Sequence, residues 1–286
     1  MKMSQKIKIG IIGGGFVGSA TALLECNNVE VLIYDLDKTK CKPQTIEFTD
    51  LDDCKFIFIC VPTPMNQDGS CHTKIVEKVI TQIRQVLNPS IHIVVRSTVP
   101  VDFCKNHGVS FMPEFLTEKN WKMDFYECQR WVLGTDDSKE STIKQDFTDL
   151  IKTSQKENKI LHNWIDFMST SEAAMVKYFR NCFLATKVSF CNEIAQFCKS
   201  KLIDYEAVRR VATMDYRITG FHTMVPGPDG RTGFGGTCFG KDTASLLSQM
   251  EEMNIESKVL KGAVERNNTI DRPEMDWHLD LGRTVI

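Results

Sequence analysis

Apolar residues recur along the first half of the chain in short runs with two different periods. KIKIGII at 6–12 reads as a β-branched strand, followed at once by GGGFVG at 13–18 and a helical run at 19–24. VEVLIY at 29–34 predicts a second strand that ends on Asp35. FIFICV at 56–61 is continuously apolar, as a strand buried on both faces should be. Residues 75–87 repeat at helical spacing, IHIVV at 91–95 reads as another strand, and 109–112 and 131–133 predict two more. Strands alternating with helices predict an α/β domain, Rossmann-like, with a doubly wound parallel sheet.

The pattern changes near residue 170. Residues 169–199 contain no Gly or Pro and keep helical spacing, with Ser169 or Thr170 as cap and Glu172 in the first turn. At 1.5 Å per residue such a helix is roughly 45 Å long, suited to a domain spine or a dimer axis. A Gly/Pro-rich loop at 220–236 follows, then a further helical stretch at 243–267. The expected organisation is a Rossmann-like domain over 1–165 and a mainly α-helical domain over 166–286.

Composition narrows the classes. The chain has 286 residues, 42% apolar and 25% charged, as expected of a globular protein with a real core. Its 35 Lys+Arg and 37 Asp+Glu leave a net charge of -2, with no basic excess to meet nucleic acid. No apolar run reaches the roughly 18–20 residues needed to span a bilayer. The basic start at 1–8 leads into Ile9, Ile11 and Ile12, but glycines break that stretch, so it does not read as a signal peptide. Eleven scattered cysteines include no CxxC pair and no Cys/His cluster at zinc spacing, so no metal is expected and the thiols point to the reducing cytoplasm.

Gly13, Gly15 and Gly18 make G-x-G-x-x-G directly after a strand and before a helix. The first glycine serves the tight turn, the second lets a pyrophosphate approach, and the third lets helix and strand pack closely. Asp35 closes the next strand 22 residues after Gly13. A carboxylate there accepts hydrogen bonds from ribose hydroxyls and repels a 2′-phosphate, which favours NAD over NADP. Gly13, Gly15, Phe16, Val17, Gly18 and Asp35 are therefore the expected dinucleotide-binding set.

A second set of residues resembles one family. CVPTP at 60–64 with Asp68-Gly69, STVP at 97–100, PEFL at 113–116 with Glu118, and Lys177-Tyr178 with Asn181 follow in order. NEIA at 192–195 and GFGGTC at 233–238, ending in Lys241-Asp242, complete it. The chain resembles the UDP-glucose/GDP-mannose dehydrogenase family to about residue 268. The resemblance implies oxidation of the C6 alcohol of a nucleotide sugar, UDP-glucose foremost, to the uronate used in polysaccharide biosynthesis, with two NAD+ reduced and one water consumed.

Residue by residue, the resemblance implies Cys238 as the nucleophile that holds the aldehyde as a thiohemiacetal and then a thioester. Lys177 and Asn181, four apart on one helix face, would stabilise oxyanion charge near C6. Asp242 with Thr98 would position a water, and Glu118 would assist thioester hydrolysis near the nicotinamide. Thr63, Thr98, Glu118, Lys241 and Lys40 resemble cofactor contacts. Glu114, Lys177, Asn181, Arg217, Phe234 and Gly235 resemble substrate contacts, Arg217 reaching across a dimer interface. A homodimer through the long helix is implied, with no membrane or nucleic-acid partner.

The sequence also departs from the family. Only 20 residues separate Asp35 from Phe56, a shorter segment than in relatives. Gly240 stands where proline is usual, which should loosen the nucleophile turn, and the loop 224–231 is long enough for a sugar-binding lid. The family's C-terminal UDP-binding domain is expected to be missing, as a natural minimal form or a truncation, with weaker nucleotide-sugar affinity. Two alternatives stay open. A β-hydroxyacid dehydrogenase of the 6-phosphogluconate type shares the glycine loop, a helical second domain and Lys-x-x-x-Asn, but transfers one hydride and needs no cysteine. A non-catalytic NAD-binding remnant is the other.

Overall fold

The computed structural model describes residues 6–136 and 140–285. It divides into two compact units, Met1–Thr63 with His72–Lys177, and Pro64–Cys71 with Tyr178–Ile286.

The first unit is a seven-stranded sheet: β1 (Ile7–Ile12), β2 (Val29–Tyr34), β3 (Phe56–Ile59), β4 (His92–Val95), β5 (Ser110–Phe111), β6 (Arg130–Gly134) and β7 (Trp164–Met168), in the order β2-β1-β3-β4-β5-β6-β7. Its helices are α1 (Phe16–Thr21), α2 (Lys74–Val86), α3 (Phe103–Asn106), α4 (Trp121–Tyr126) and α5 (Glu140–Lys156), and α6 (Thr170–Ser200) begins in it. The chain leaves β1 to one side for β2 and returns to the other side for β3. That reversal opens a crevice at the carboxyl ends of β1 and β3, where doubly wound folds hold their ligands.

The core explains the alternation. On β3, Phe56 and Phe58 enter one apolar layer with Phe147, Leu150 and Ile151 of α5, while Ile57 and Ile59 enter the other with Val76, Ile80 and Ile83 of α2. Successive strand side chains point to opposite faces, so a strand covered by helices on both sides must be apolar throughout.

Three expectations need correction. The sheet is not wholly parallel: β5 and β6 run antiparallel, joined by the single pair Phe111↔Gly134. β7 was not anticipated, because its burial is partial and Trp164 at its start is exposed, as befits an edge strand. The helical stretch at 243–267 is two helices, α8 (Gly236–Glu252) and α9 (Lys258–Arg266), broken where Asn254 turns left-handed at φ 57°.

The second unit contains the rest of α6, then α7 (Tyr205–Ala212), α8 and α9. Tyr178 Oη pairs with Ser245 Oγ at 2.9 Å between α6 and α8, and Ser189 Oγ donates to the Ala263 carbonyl at 2.9 Å between α6 and α9. The segment Pro64–Cys71 is held by the chain's last described residues, through Met65 N–H donating to the Thr284 carbonyl at 2.7 Å.

Candidate functional site

In the first unit, the glycine loop follows β1 directly. Gly13 has φ 103°, and a Cβ there would stand 2.6 Å from the Cys60 carbonyl oxygen, so only glycine fits between β1 and β3. A Cβ on Gly18 would stand 2.0 Å from the Gly13 carbonyl oxygen, which is the close helix–strand approach the third glycine permits. A Cβ on Gly15 meets nothing within 4 Å. The space beside it is open, as an approaching pyrophosphate requires.

Phe16 and Val17 are the first half-buried residues of α1. Asp35 Oδ2 accepts from the Gly14 amide at 2.6 Å and Oδ1 from the Asp37 amide at 2.8 Å. Each oxygen keeps lone-pair capacity for a ribose hydroxyl. Lys40 is exposed and pairs with Asp37 at 3.4 Å. The Thr63 hydroxyl is buried without a partner. An open face at Gly15, a fixed carboxylate at Asp35 and an orphaned donor at Thr63 together fit a dinucleotide.

Farther along the same unit, Lys177 reaches from the second turn of α6 to two partners. Its Nζ donates to Thr98 Oγ1 at 2.7 Å and to Glu114 Oε1 at 2.6 Å, with both charged side chains buried. Glu114 Oε2 also accepts from the Leu116 amide at 3.1 Å. This pairing was not legible in the sequence, since 63 residues separate the partners. Glu118, four residues beyond, is exposed.

In the second unit, Asp242 is fully buried on α8. Its Oδ2 accepts from Asn181 Nδ2 at 2.6 Å, while its Oδ1 is buried with no partner. Cys238 is half-buried and four residues before Asp242 on the same helix, so both project from one face. Cys238 lies inside the first turn of α8, not in a turn ahead of it: Gly235 caps the helix with no side-chain hydrogen bond, and Gly236 enters it at φ 72°. Lys241 is half-buried on the next turn, and Phe234 is buried just before the cap.

Arg217 is exposed and folded back on Asp215 of its own loop, Nε donating to Oδ1 at 2.9 Å and Nη2 to Oδ2 at 2.5 Å. The structure does not bring it to the other candidates of this unit.

Two expected features take a different form. Gly240 lies within α8, and a Cβ there would stand 3.0 Å from Trp277 Nε1, so glycine at this position admits the indole against the helix. The long loop is tied down, with Asp229 accepting from Arg272 at 2.7 Å and Arg231 paired to Asp276 at 2.9 Å. Sequence reasoning missed Asn267 and Arg272, which grip the glycine-rich stretch. Nothing in their own neighbourhood marks them; the signal lay in the three glycines at 233, 235 and 236, whose bare backbone needs partners.

Among the described residues no helix is long and apolar enough to cross a membrane, and all 11 cysteines are free thiols.

The sequence pattern of the UDP-glucose/GDP-mannose dehydrogenase family, NAD binding domain, matches residues 41–152, and that of the same family's central domain matches residues 171–269. The chain is 32% identical to a UDP-glucose 6-dehydrogenase of Rickettsia felis over 250 residues, covering 83% of this chain and 53% of that protein. It is 32% identical to one from Pseudomonas aeruginosa over 235 residues, covering 76% and 49%. The chain thus spans about half the length of these curated relatives.

Among solved structures, a UDP-glucose dehydrogenase from Pyrobaculum islandicum superposes with a TM-score of 0.77 at 25% identity, over 94% of this chain and 69% of that one. A 3-hydroxyisobutyrate dehydrogenase from Mycobacterium tuberculosis shares the fold at a TM-score of 0.70 and 16% identity, over 98% and 97%.

Proposed function

We propose that this chain, which belongs to the UDP-glucose/GDP-mannose dehydrogenase family and takes NAD as its cofactor, oxidises the C6 alcohol of a nucleotide sugar to the carboxylate, with UDP-glucose the preferred substrate. The observation that carries the reading is the arrangement on α8. A thiol and a carboxylate share one helix face, and that carboxylate keeps one oxygen buried and unpartnered beside its bond to Asn181. A buried polar atom without a partner is costly and points to a group it is built to hold. In this reading that group is the water that ends the reaction.

Bound NAD supplies the acceptor for the two electrons removed at each oxidation. The residues do the rest. Gly13, Gly15, Phe16, Val17 and Gly18 hold the pyrophosphate, Asp35 and Lys40 the adenosine ribose side, and Thr63 donates its free hydroxyl.

Lys177, paired with Glu114, stabilises negative charge at the C6 oxygen, with Asn181 one helical turn away on α6. The Cys238 sulfur adds to the aldehyde carbon to give a thiohemiacetal, and removal of the second electron pair leaves a thioester. Asp242 then takes a proton from water, the oxygen attacks the thioester carbon, and the thiolate leaves. Thr98, Glu118, Lys241, Phe234 and Gly235 keep the cofactor or substrate roles the resemblance implies.

α6 also suggests how the protein assembles. Phe179, Phe183, Phe190 and Phe197 are exposed on one helical face, with Phe179 and Phe183 rings stacked at 6.2 Å. A second copy of the chain would cover that stripe, making the homodimer to which Arg217 belongs, in a reducing compartment such as the cytoplasm. Sedimentation of Phe183→Glu and Phe190→Glu as monomers would support this; unchanged dimers would reject it.

The experiment for the activity is NADH formation at 340 nm with UDP-glucose, UDP-N-acetylmannosamine and GDP-mannose in turn. Two NADH per carboxylate are expected, with net oxidation lost in Cys238→Ser. One NADH per substrate would instead indicate a β-hydroxyacid dehydrogenase, and full carboxylate from Cys238→Ser would remove the covalent route.

A further inference from the structure

The backbone that leads into Cys238 is gripped by the segment that follows α9. Phe234 N–H donates to Asn267 Oδ1 at 2.7 Å and Asn267 Nδ2 donates to the Phe234 carbonyl at 3.1 Å, so one side-chain amide pairs with both groups of one residue. Gly233 N–H donates to Asn192 Oδ1 at 3.1 Å.

Arg272 lies against the next residue. A Cβ on Gly235 would stand 2.4 Å from Arg272 Cζ, 2.6 Å from Nη2 and 2.7 Å from Nε. The guanidinium therefore fills the volume a side chain at position 235 would take. Trp277 follows, its ring stacked on Phe234 at 6.3 Å and set against Gly240.

The guanidinium has no freedom of its own. Nε and Nη2 donate to the two oxygens of Asp276 at 2.8 and 2.7 Å, and Nη1 donates to Asp229 Oδ2 at 2.7 Å. Its side chain is only 4% exposed. A bidentate pair fixes the plane of an arginine as well as its position, which a lysine ammonium cannot do. That plane presses on the cap residue of α8, three residues before the thiol.

We propose that Arg272 is a positioning residue for Cys238: held flat by Asp276 and Asp229, it sets the entry of α8 and thereby the direction in which the sulfur leaves the helix's first turn. Use of that sulfur in sugar oxidation rests on the function proposed above; the positioning itself does not.

The test separates the two. Cys238 is alkylated with iodoacetamide in wild type, Arg272→Lys and Asp229→Asn, with rates resolved by peptide mass spectrometry and Cys26 and Cys128 as internal controls. Urea melts report folding, and NAD-dependent oxidation of UDP-glucose gives kcat and the KM for NAD.

In Arg272→Lys the Cys238 rate should change by about tenfold and kcat should fall by about 10- to 100-fold, the cost of a misplaced reacting atom. The control cysteines and the KM for NAD should stay within about twofold of wild type, a split that general loosening would not produce. Asp229→Asn removes a single carboxylate from the half-exposed side of the clamp and should show the same effect more weakly; it decides the matter if Arg272→Lys does not fold. Wild-type Cys238 rates in the folded variants would overturn the proposal. Inactivity of the wild type toward every nucleotide sugar, with the alkylation change intact, would overturn the proposed function and leave the positioning standing.

Discussion

Lys177 and Glu114 form a buried ion pair 2.6 Å long, in which the ammonium also donates to the Thr98 hydroxyl. Charges so placed are stable only together, because removing one leaves the other desolvated and uncompensated. Glu114→Ala and Lys177→Ala should each lower unfolding free energy by about 3–5 kcal/mol, whereas the apolar double variant Lys177→Met/Glu114→Leu should lose less than either. Urea denaturation of the four proteins checks this. Additive losses would show that the two side chains act independently in solution.

Asp242 offers a cleaner separation of chemistry from folding. Asn in its place keeps the shape and can still pair with Asn181 by exchanging amide roles, so stability should change little. General-base assistance is worth about 10²- to 10⁴-fold, and kcat for Asp242→Asn should drop accordingly. If water attack is what fails, a sugar adduct should accumulate on Cys238 and be visible by mass. A variant that turns over normally without an adduct would remove Asp242 from the hydrolytic step.

What could be read from the chain depended on how far apart the interacting residues lie. The strand, glycine turn and Asp35 are legible because their partners fall within one β-α-β passage and each glycine answers a local need. The antiparallel entry of β6 was hidden, since a strand's apolar pattern reads alike in both chain directions. The start of α8 was misplaced because glycines at 235 and 236 look like loop, yet here they are the cap and first residue of a helix. Lys177 with Glu114 and Arg272 with Gly235 depend on packing between distant segments, and neither member of a pair carries a mark of the other.

The cysteines should divide by burial. Burial pushes the Cys54 and Cys182 thiols up to about 12, and that of Cys60 to about 11 even though Arg96 and Thr21 favour its thiolate. A raised pKa means that less of the nucleophilic form exists at any pH below it. At pH 8 the thiolate fraction is about one in ten thousand for the first two and about one in a thousand for Cys60. Iodoacetamide at pH 8 should therefore leave all three unmodified in the folded protein, with labelling rising as pH increases or on denaturation. Rapid labelling of Cys60 in the native state would mean that burial does not hold its thiol protonated.

Gly15 and Gly18 make opposite predictions from the same motif. A Cβ on Gly18 would stand 2.0 Å from a carbonyl oxygen of the main chain, which cannot swing aside as a side chain could. Gly18→Ala must push α1 off β1, and the loss of stability should be at least about 1–3 kcal/mol, as for an overpacked core.

Gly15 already has φ -69°, a conformation alanine adopts freely, and its added methyl would touch nothing. Gly15→Ala should melt within about 0.5 kcal/mol of wild type. The methyl would nonetheless occupy the opening where the pyrophosphate has to approach. NAD affinity should fall tenfold or more, about 1.4 kcal/mol, as read by titration calorimetry on the folded variant. Retained NAD affinity in Gly15→Ala would mean that the phosphates pass elsewhere, and the glycine turn would then be a packing device alone.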